Sequence, residues 1–236
     1  MSNELRINRD DAYRYMGIRE PFSENVDEKT AEVADKCEAE LLSAVKPRFT
    51  WRVFDIIRNE NGIFPEGCDF MLEGESIEKH LEGCEKLAIV CSTLSADCDK
   101  YISRMSVCGA LEMLVSDALA SAYIEQISEN ALSDLLEKNA GYSSTWIFGA
   151  GYGDFPLEVL PKLISAADAT RKIGVSTTAA NTLTPSKSIV GIAGLSKKPL
   201  VPHEKSCESC NLRETCEFRR RGNHCDCESH TKKSTV

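Results

Sequence analysis

The chain is short of positive charge, of long apolar runs and of aromatic residues, and each shortage excludes something. Lys and Arg number 28 against 37 Asp and Glu, a formal net charge of −9, so the surface repels phosphate backbones and anionic bilayers. No nucleic-acid partner is expected. The longest apolar runs, such as Leu87 to Cys91, fall far short of the roughly 20 residues that span a bilayer, and no membrane partner is expected either. The opening MSNELRINRDDAYRYMG is too charged for a signal peptide. These features together predict a cytoplasmic protein. Aromatics make up only 7%. The four histidines (His80, His203, His224 and His230) stand apart from the glycine motifs, and no Gly-x-Ser-x-Gly occurs, which disfavours a hydrolase triad.

Cysteine, by contrast, is abundant, with eleven in 236 residues. Cys37, Cys68, Cys84, Cys91, Cys98 and Cys108 lie singly in apolar or helical patterns and read as reduced core residues. Cys207, Cys210, Cys216, Cys225 and Cys227 crowd into the last 30 residues. Cys207-x-x-Cys210 is a knuckle whose thiolates can share one metal, and Cys216 with Cys225 or Cys227 completes four ligands for tetrahedral zinc or an iron–sulfur cluster. Reduced or intermolecularly oxidised thiols in a tail are the alternative. Residues 197–236 hold nine Lys/Arg against six Asp/Glu, a net +3, which leaves −12 on residues 1–196. With the proline-bearing Lys197–Pro202 as linker, the expectation is one domain over 1–196 and a linker with a Cys-rich metal-binding tail over 197–236.

Within the body, Asn8 caps a short helix through Tyr15 that stops at Gly17, and a second helix runs from about Asp27 to Val45 before Pro47. Arg48–Arg58 alternates, with Phe49, Trp51 and Val53 on one side, and reads as a strand. Glu85–Leu94 is a second, suited to a sheet interior. The segment from about Ser103 to Lys138 keeps Val107, Leu111, Leu114, Ala118, Ala122, Leu132 and Leu135 at helical spacing and predicts one long core helix. A helix from about Leu157 to Lys172 ended by Gly174 and a strand from Ser188 to Leu195 follow. Without strict βαβ alternation, the fold class is α+β.

Between the long helix and the next lies Gly149-Ala150-Gly151-Tyr152-Gly153-Asp154-Phe155-Pro156. Three glycines in five residues let main chain approach a ligand closely and permit positive φ, although a tight connection has the same composition. No Gly-x-Gly-x-x-Gly is completed, and the preceding element reads as helix, so this is no dinucleotide fingerprint. Tyr152 serves either ligand contact or packing beside Phe148 and Phe155. Asp154 and Glu125 serve either to complement a cationic ligand group or as solvated surface.

The order of these motifs resembles a known family. Tyr-Met-Gly ends the first helix, Gly83-Cys84 leads to Ser92-Thr93-Leu94, the long helix carries Asp117-Ala118-Leu119-Ala120-Ser121-Ala122 with Glu125, and GAGYGDFPLEVLPKL and Thr184-Pro185-Ser186-Lys187-Ser188-Ile189-Val190-Gly191 follow. This order, over about Ile7 to Ser196, is similar to the activation (reactivation) domain of vitamin B12-dependent methionine synthase in stand-alone form. The resemblance implies a C-shaped α+β domain around a twisted antiparallel sheet, flanked by helices. It implies S-adenosylmethionine bound by Gly149, Ala150, Gly151, Tyr152, Gly153 and Asp154, with Ile192, Ala193 and Gly194 opposite. It further implies docking on the cobalamin of methionine synthase or another corrinoid protein, with a flavodoxin or ferredoxin as electron donor. Cobalt driven to Co(II) would be reduced and trapped by methyl transfer. The chain has no Asp-x-His-x-x-Gly of its own, so cobalamin is expected on the partner.

Two departures stand out. Members of that family usually carry an Arg five residues before the loop tyrosine, where a planar cation grips a carboxylate bidentately, and here that position is Ile147. An Asp usual near the end of the first helix falls at about Gly17. A substitute cation such as Arg104 or Arg171, or a docking module that supplies no methyl group, are the two expectations that follow.

Overall fold

A computed structural model describes residues 6–200. In chain order the elements are α1 (Arg9–Tyr15), α2 (Phe22–Asn25), α3 (Glu28–Ala44), β1 (Arg48–Asn59), β2 (Gly62–Pro65), α4 (Glu75–His80), β3 (Lys86–Thr93), α5 (Ala96–Cys108), α6 (Ala110–Lys138), β4 (Ser143–Ser144) and β5 (Phe148–Gly149). A 3-10 turn (Leu157–Val159) then leads into α7 (Leu160–Ala166), α8 (Ala169–Ile173), β6 (Ser176–Thr177), β7 (Leu183–Thr184) and β8 (Ser188–Ser196). The mixture of helices with an antiparallel sheet is the α+β arrangement that the sequence predicts.

The main sheet runs β2-β1-β3-β8-β4, with β5 also on β8, and every pairing is antiparallel. Strand β3, KLAIVCST, lies between β1 and β8 and is buried from Leu87 to Thr93. Its side chains alternate between two cores. Leu87, Ile89 and Cys91 face α7 and α8 together with Phe54, Phe148, Phe155 and Ile192. Ala88 and Val90 face the C-terminal half of α6, where Ala131, Leu135 and Leu195 pack with Trp51, Val53 and Ile147. Asp134 accepts a hydrogen bond from the Trp51 indole at 2.9 Å and fastens α6 to β1.

The N-terminal half of α6 leaves the sheet and joins α1, α3 and α5 around a third core of Leu41, Leu94, Tyr101, Val115, Leu119 and Tyr123. Tyr101 Oη donates to the Cys37 carbonyl at 3.0 Å and lies 3.2 Å from Ser116 Oγ, joining three helices at one hydroxyl. The buried Glu38 carboxylate accepts from the Ile7 amide and the Arg9 guanidinium, each at 2.8 Å, which anchors α1 on α3. Asn8 and Asp27 cap α1 and α3, as their positions before apolar stripes predict.

Three expectations change. The predicted helix over 103–138 is two, because Gly109 sits between them in an extended conformation (φ 168°, ψ 162°) that stops α5 and opens α6. Val107 and Leu114, read as core, flank that break, and Val107 is 87% exposed. The helix expected over 157–172 is divided at Asp168, whose φ of 57° is left-handed. The element leading into the glycine loop is the short strand β5 rather than a helix. Of the six body cysteines, Cys37, Cys84, Cys91 and Cys98 are buried free thiols, Cys68 is half-buried and Cys108 is exposed.

The close approach of β5 to β8 requires glycine at 191. A Cβ there would lie 2.7 Å from both Ile147 Cγ2 and the Phe148 carbonyl oxygen. Gly191→Ala is therefore expected to destabilise the fold by about 1–3 kcal/mol, read as a lower midpoint in urea, and an unchanged midpoint would show that β5 can lift away.

Candidate functional site

The glycine loop hangs from the outer edge of β8. Ser143 and Ser144 pair with Ser196 and Leu195, and Phe148 and Gly149 pair with Ile192 and Gly191. Thr145 fills the interval: its amide donates to the Gly194 carbonyl at 2.9 Å, and its Oγ1 accepts from the Gly194 amide at 2.7 Å. Beyond Gly149 the chain turns back on itself. The Gly151 amide donates to the Phe155 carbonyl at 2.7 Å, and the Phe155 amide donates to the Tyr152 carbonyl at 3.1 Å. Phe155, 1% exposed, plugs the turn into the core beside Phe148. Gly151 has φ +90°, and a Cβ on it would meet Leu157 Cδ2 at 3.0 Å, so the turn needs glycine on two counts.

Tyr152 projects outward, 61% exposed. Its ring lies over Gly149, where a Cβ would come within 3.2 Å of Cδ2 and Cε2, and it touches Phe148 at a centroid separation of 6.2 Å. Asp154 does something the sequence did not suggest. Its carboxylate accepts from the Glu75 and Ser76 amides at 2.7 and 2.9 Å, capping α4 from a distance of 78 residues or more in the chain. These bonds hold its pKa down at about 2, with the Ser76 bonds the largest cause.

Of the other residues implied by the resemblance, Ala193 and Gly194 lie in the buried interior of β8, and a Cβ on Gly194 would come within 2.4 Å of Cys84 Sγ. The main chain that stays open beside the loop is further back. β3 covers one edge of β8 from Ser188 to Leu195. On the other edge, among the described residues, no strand pairs with Ser188, Ile189 or Val190.

That open edge is bordered by a polar stripe of α6. Asp117, Ser121 and Glu125 follow at intervals of four, on one helix face. Lys187 Nζ, with a side chain only 16% exposed, lies 2.8 Å from both Asp117 Oδ1 and Ser121 Oγ, and Tyr15 Oη donates to Glu125. The Ser186 amide donates to Asp99 at 3.2 Å. Lys187 is the cation that the structure brings to this region; it belongs to the Thr184–Gly191 motif, but its pairing with α6 follows only from the contacts it makes with Asp117 and Ser121. The two cations considered from sequence are held elsewhere. Arg104 pairs with Glu40 at 3.2 Å and lies over the Tyr101 ring, while Arg171 pairs with Asp168. Ile147 is a half-buried member of the core between β3 and α6.

Two cavities lie away from the loop. One of about 430 Å³ is bordered by Arg58, Gly62, Lys79 and Glu82, and one of about 310 Å³ by Pro161, Ile164, Asp168 and Arg171. Among the described residues no group of three or more His, Cys, Asp or Glu could hold a metal ion. The five cysteines Cys207, Cys210, Cys216, Cys225 and Cys227 lie outside the described residues. No helix among the described residues is long and apolar enough to cross a membrane.

No protein-family model matches the chain, and no curated protein sequence matches it. Among solved structures, it is similar to a crystal structure of the MetH reactivation domain bound to AdoHcy, with a TM-score of 0.57 and 12% identity, over 92% of this chain and 82% of that one. The likeness is one of fold.

The depressed pKa of Asp154 makes its contribution to stability pH-dependent. An acid whose folded pKa is lowered from 3.8 to about 2 stabilises the fold fully above its unfolded pKa, and the contribution is lost as pH falls through the folded one. The stability difference between the wild type and Asp154→Ala is expected to be constant from about pH 5 to 8 and to shrink below about pH 4. Denaturant melts across that range check it, and a difference that persists undiminished at pH 2 would contradict the capping role.

Proposed function

We propose that this chain is an accessory protein for the reductive reactivation of a cobalamin-dependent methyltransferase, methionine synthase or another corrinoid protein, and that it binds an S-adenosylmethionine-type ligand at the glycine loop. The observation that carries the reading is the fold shared with the reactivation domain, taken with a glycine loop hung beside an open strand edge. Gly149, Ala150, Gly151 and Gly153 offer main chain with little side chain in the way, and Tyr152 offers an exposed ring on which a nucleobase could stack. The Ser188–Val190 stretch, which among the described residues pairs with β3 alone, offers a strand edge to a ligand. Asp154 serves by holding the loop, while Ala193 and Gly194 form the wall behind Thr145. S-adenosylmethionine supplies an electrophilic methyl group on a sulfonium, which the partner's cobalt can accept once a flavodoxin or ferredoxin type donor has reduced it.

A specific observation favours a second reading. Ile147 occupies the position where a guanidinium would hold the ligand carboxylate, and its side chain is committed to the core. In this reading the chain is a metal-containing module that docks on a corrinoid protein without supplying methyl groups. In both readings we assign residues 197–236 to a linker and a tail whose Cys207, Cys210, Cys216, Cys225 and Cys227 supply zinc or iron–sulfur ligands.

Isothermal titration of the full chain with S-adenosylmethionine separates the two. The first reading expects saturable binding that Gly151→Val abolishes, because a β-branched residue is strained at positive φ and meets Leu157. Absence of binding by the wild type favours the docking module, and binding that survives Gly151→Val places the ligand away from the loop. For the tail, protein isolated anaerobically is expected to hold one metal centre by elemental analysis. Absorbance above about 320 nm distinguishes an iron–sulfur cluster from colourless zinc, and metal content that survives deletion of residues 203–236 would defeat the assignment.

A further inference from the structure

The glycine loop is held from two directions by one short helix. At the start of α4, the Asp154 carboxylate takes the Glu75 and Ser76 amides. At its end, His80, 4% exposed, places Nε2 2.8 Å from Thr145 Oγ1, the same hydroxyl that accepts the Gly194 amide. His80 also packs edge-on against Trp146 and tilted against Phe148, both at 4.9 Å between ring centroids. The segment from Thr145 to Asp154, which contains the whole loop, is thus fastened at one end to the last residue of α4 and at the other to its first turn. The residues between these points include Gly149, Gly151 and Gly153, whose conformational freedom is the largest of any residue type.

We infer that Asp154 is a positioning residue: through α4 it fixes the conformation of the glycine loop, and with it what Gly149–Gly153 and Tyr152 present to a ligand. Three observations carry this. Both carboxylate oxygens are used, one on each amide, so the loop is held at two points rather than by a swinging single bond. Gly74 meets Asp154 at close quarters: with φ +120°, it would bring a Cβ to 2.9 Å from the Asp154 carbonyl oxygen and Oδ1. A side chain at 74 would push the carboxylate out of place. Gly74 also opens α4 without a side-chain cap of its own, so the first turn depends on the loop just as the loop depends on it. The depressed pKa agrees with a carboxylate that accepts two main-chain hydrogen bonds. Asp154 need not touch the ligand to matter.

The inference rests on the ligand site proposed above, and its test separates the two. Hydrogen exchange of the full chain without ligand reads the clasp alone. Asp154→Ala is expected to speed exchange at Gly149–Gly153 and at Glu75–Glu78 by about tenfold, the scale of a lost helix cap, while β3 is unchanged. Asp154→Asn, which keeps one acceptor oxygen, should fall between. Gly74→Ala should reproduce the alanine variant from the other side of the contact. Loop exchange that stays at the wild-type rate in Asp154→Ala and Gly74→Ala would overturn the inference. Titration with S-adenosylmethionine then reads the consequence: dissociation constants are expected to rise by about tenfold in Asp154→Ala and less in Asp154→Asn. Unchanged affinity in a variant whose loop has loosened would also overturn the positioning role. If the wild type binds no S-adenosylmethionine, the ligand reading fails, and the clasp is judged on exchange alone.

Discussion

The structure depends on strand β3 being buried on both faces and paired on both edges. Seven consecutive residues from Leu87 to Thr93 are out of water, which is possible only if β1 and β8 satisfy the main chain on each side and helices cover each face. The two cores that flank the sheet are the two faces of this strand, and α6 is long enough to cover one of them and continue into the helical cluster with α1, α3 and α5. Everything of functional interest hangs on β8, the neighbour that β3 holds in place. Replacing any of Leu87, Ile89 or Ile192 by alanine would cost on the order of 2–5 kcal/mol and would disturb the site from beneath.

Because β3 covers one edge of β8 over nearly its full length, only the other edge is available, and the chain uses it unevenly. Residues 191–196 are taken by β5, Thr145 and β4, whereas with Ser188–Val190 no strand among the described residues pairs on that edge. The glycine loop leaves the sheet at the junction between the two. A loop rich in glycine would sample many conformations, and the contacts that restrict it are specific: Phe155 in the core, the Thr145 hydroxyl on Gly194, and the Asp154 carboxylate on α4. Beside the Ser188–Val190 stretch, Lys187 brings a half-buried cation paired with Asp117 and Ser121 of α6.

Much of this was legible in the sequence, and the exceptions have physical reasons. The long elements announce themselves through local rules: Asn8 and Asp27 before apolar stripes, Pro47 after α3, alternation in β1, and the unbroken apolar centre of β3. The break at Gly109 is hidden in the sequence because Val107, Leu111 and Leu114 keep helical spacing across it, and a lone glycine does not end a periodic pattern. Strands of two residues, such as β4 and β5, carry no period at all; they exist because β8 has an edge to offer. The loop is readable from its glycines, whereas the exposure of Tyr152 is not, since its setting allows either a projecting or a packed ring. Asp154 was not readable, since the amides it binds belong to residues 75 and 76. The role of Lys187 is unreadable for the same reason, its partners lying on α6. Ile147 was noticed as a departure, but its commitment to the core between β3 and α6 follows only from the pairing of β5 with β8.

The central proposal is that this chain restores a corrinoid partner to its methylated state. It is tested most directly by mixing the full chain with cobalamin-loaded methionine synthase that lacks its own activation domain, together with a reductant and S-adenosylmethionine, and following the corrinoid spectrum. The account predicts conversion of Co(II) to methyl-Co(III) that requires this chain. Equal recovery with and without the chain would contradict it.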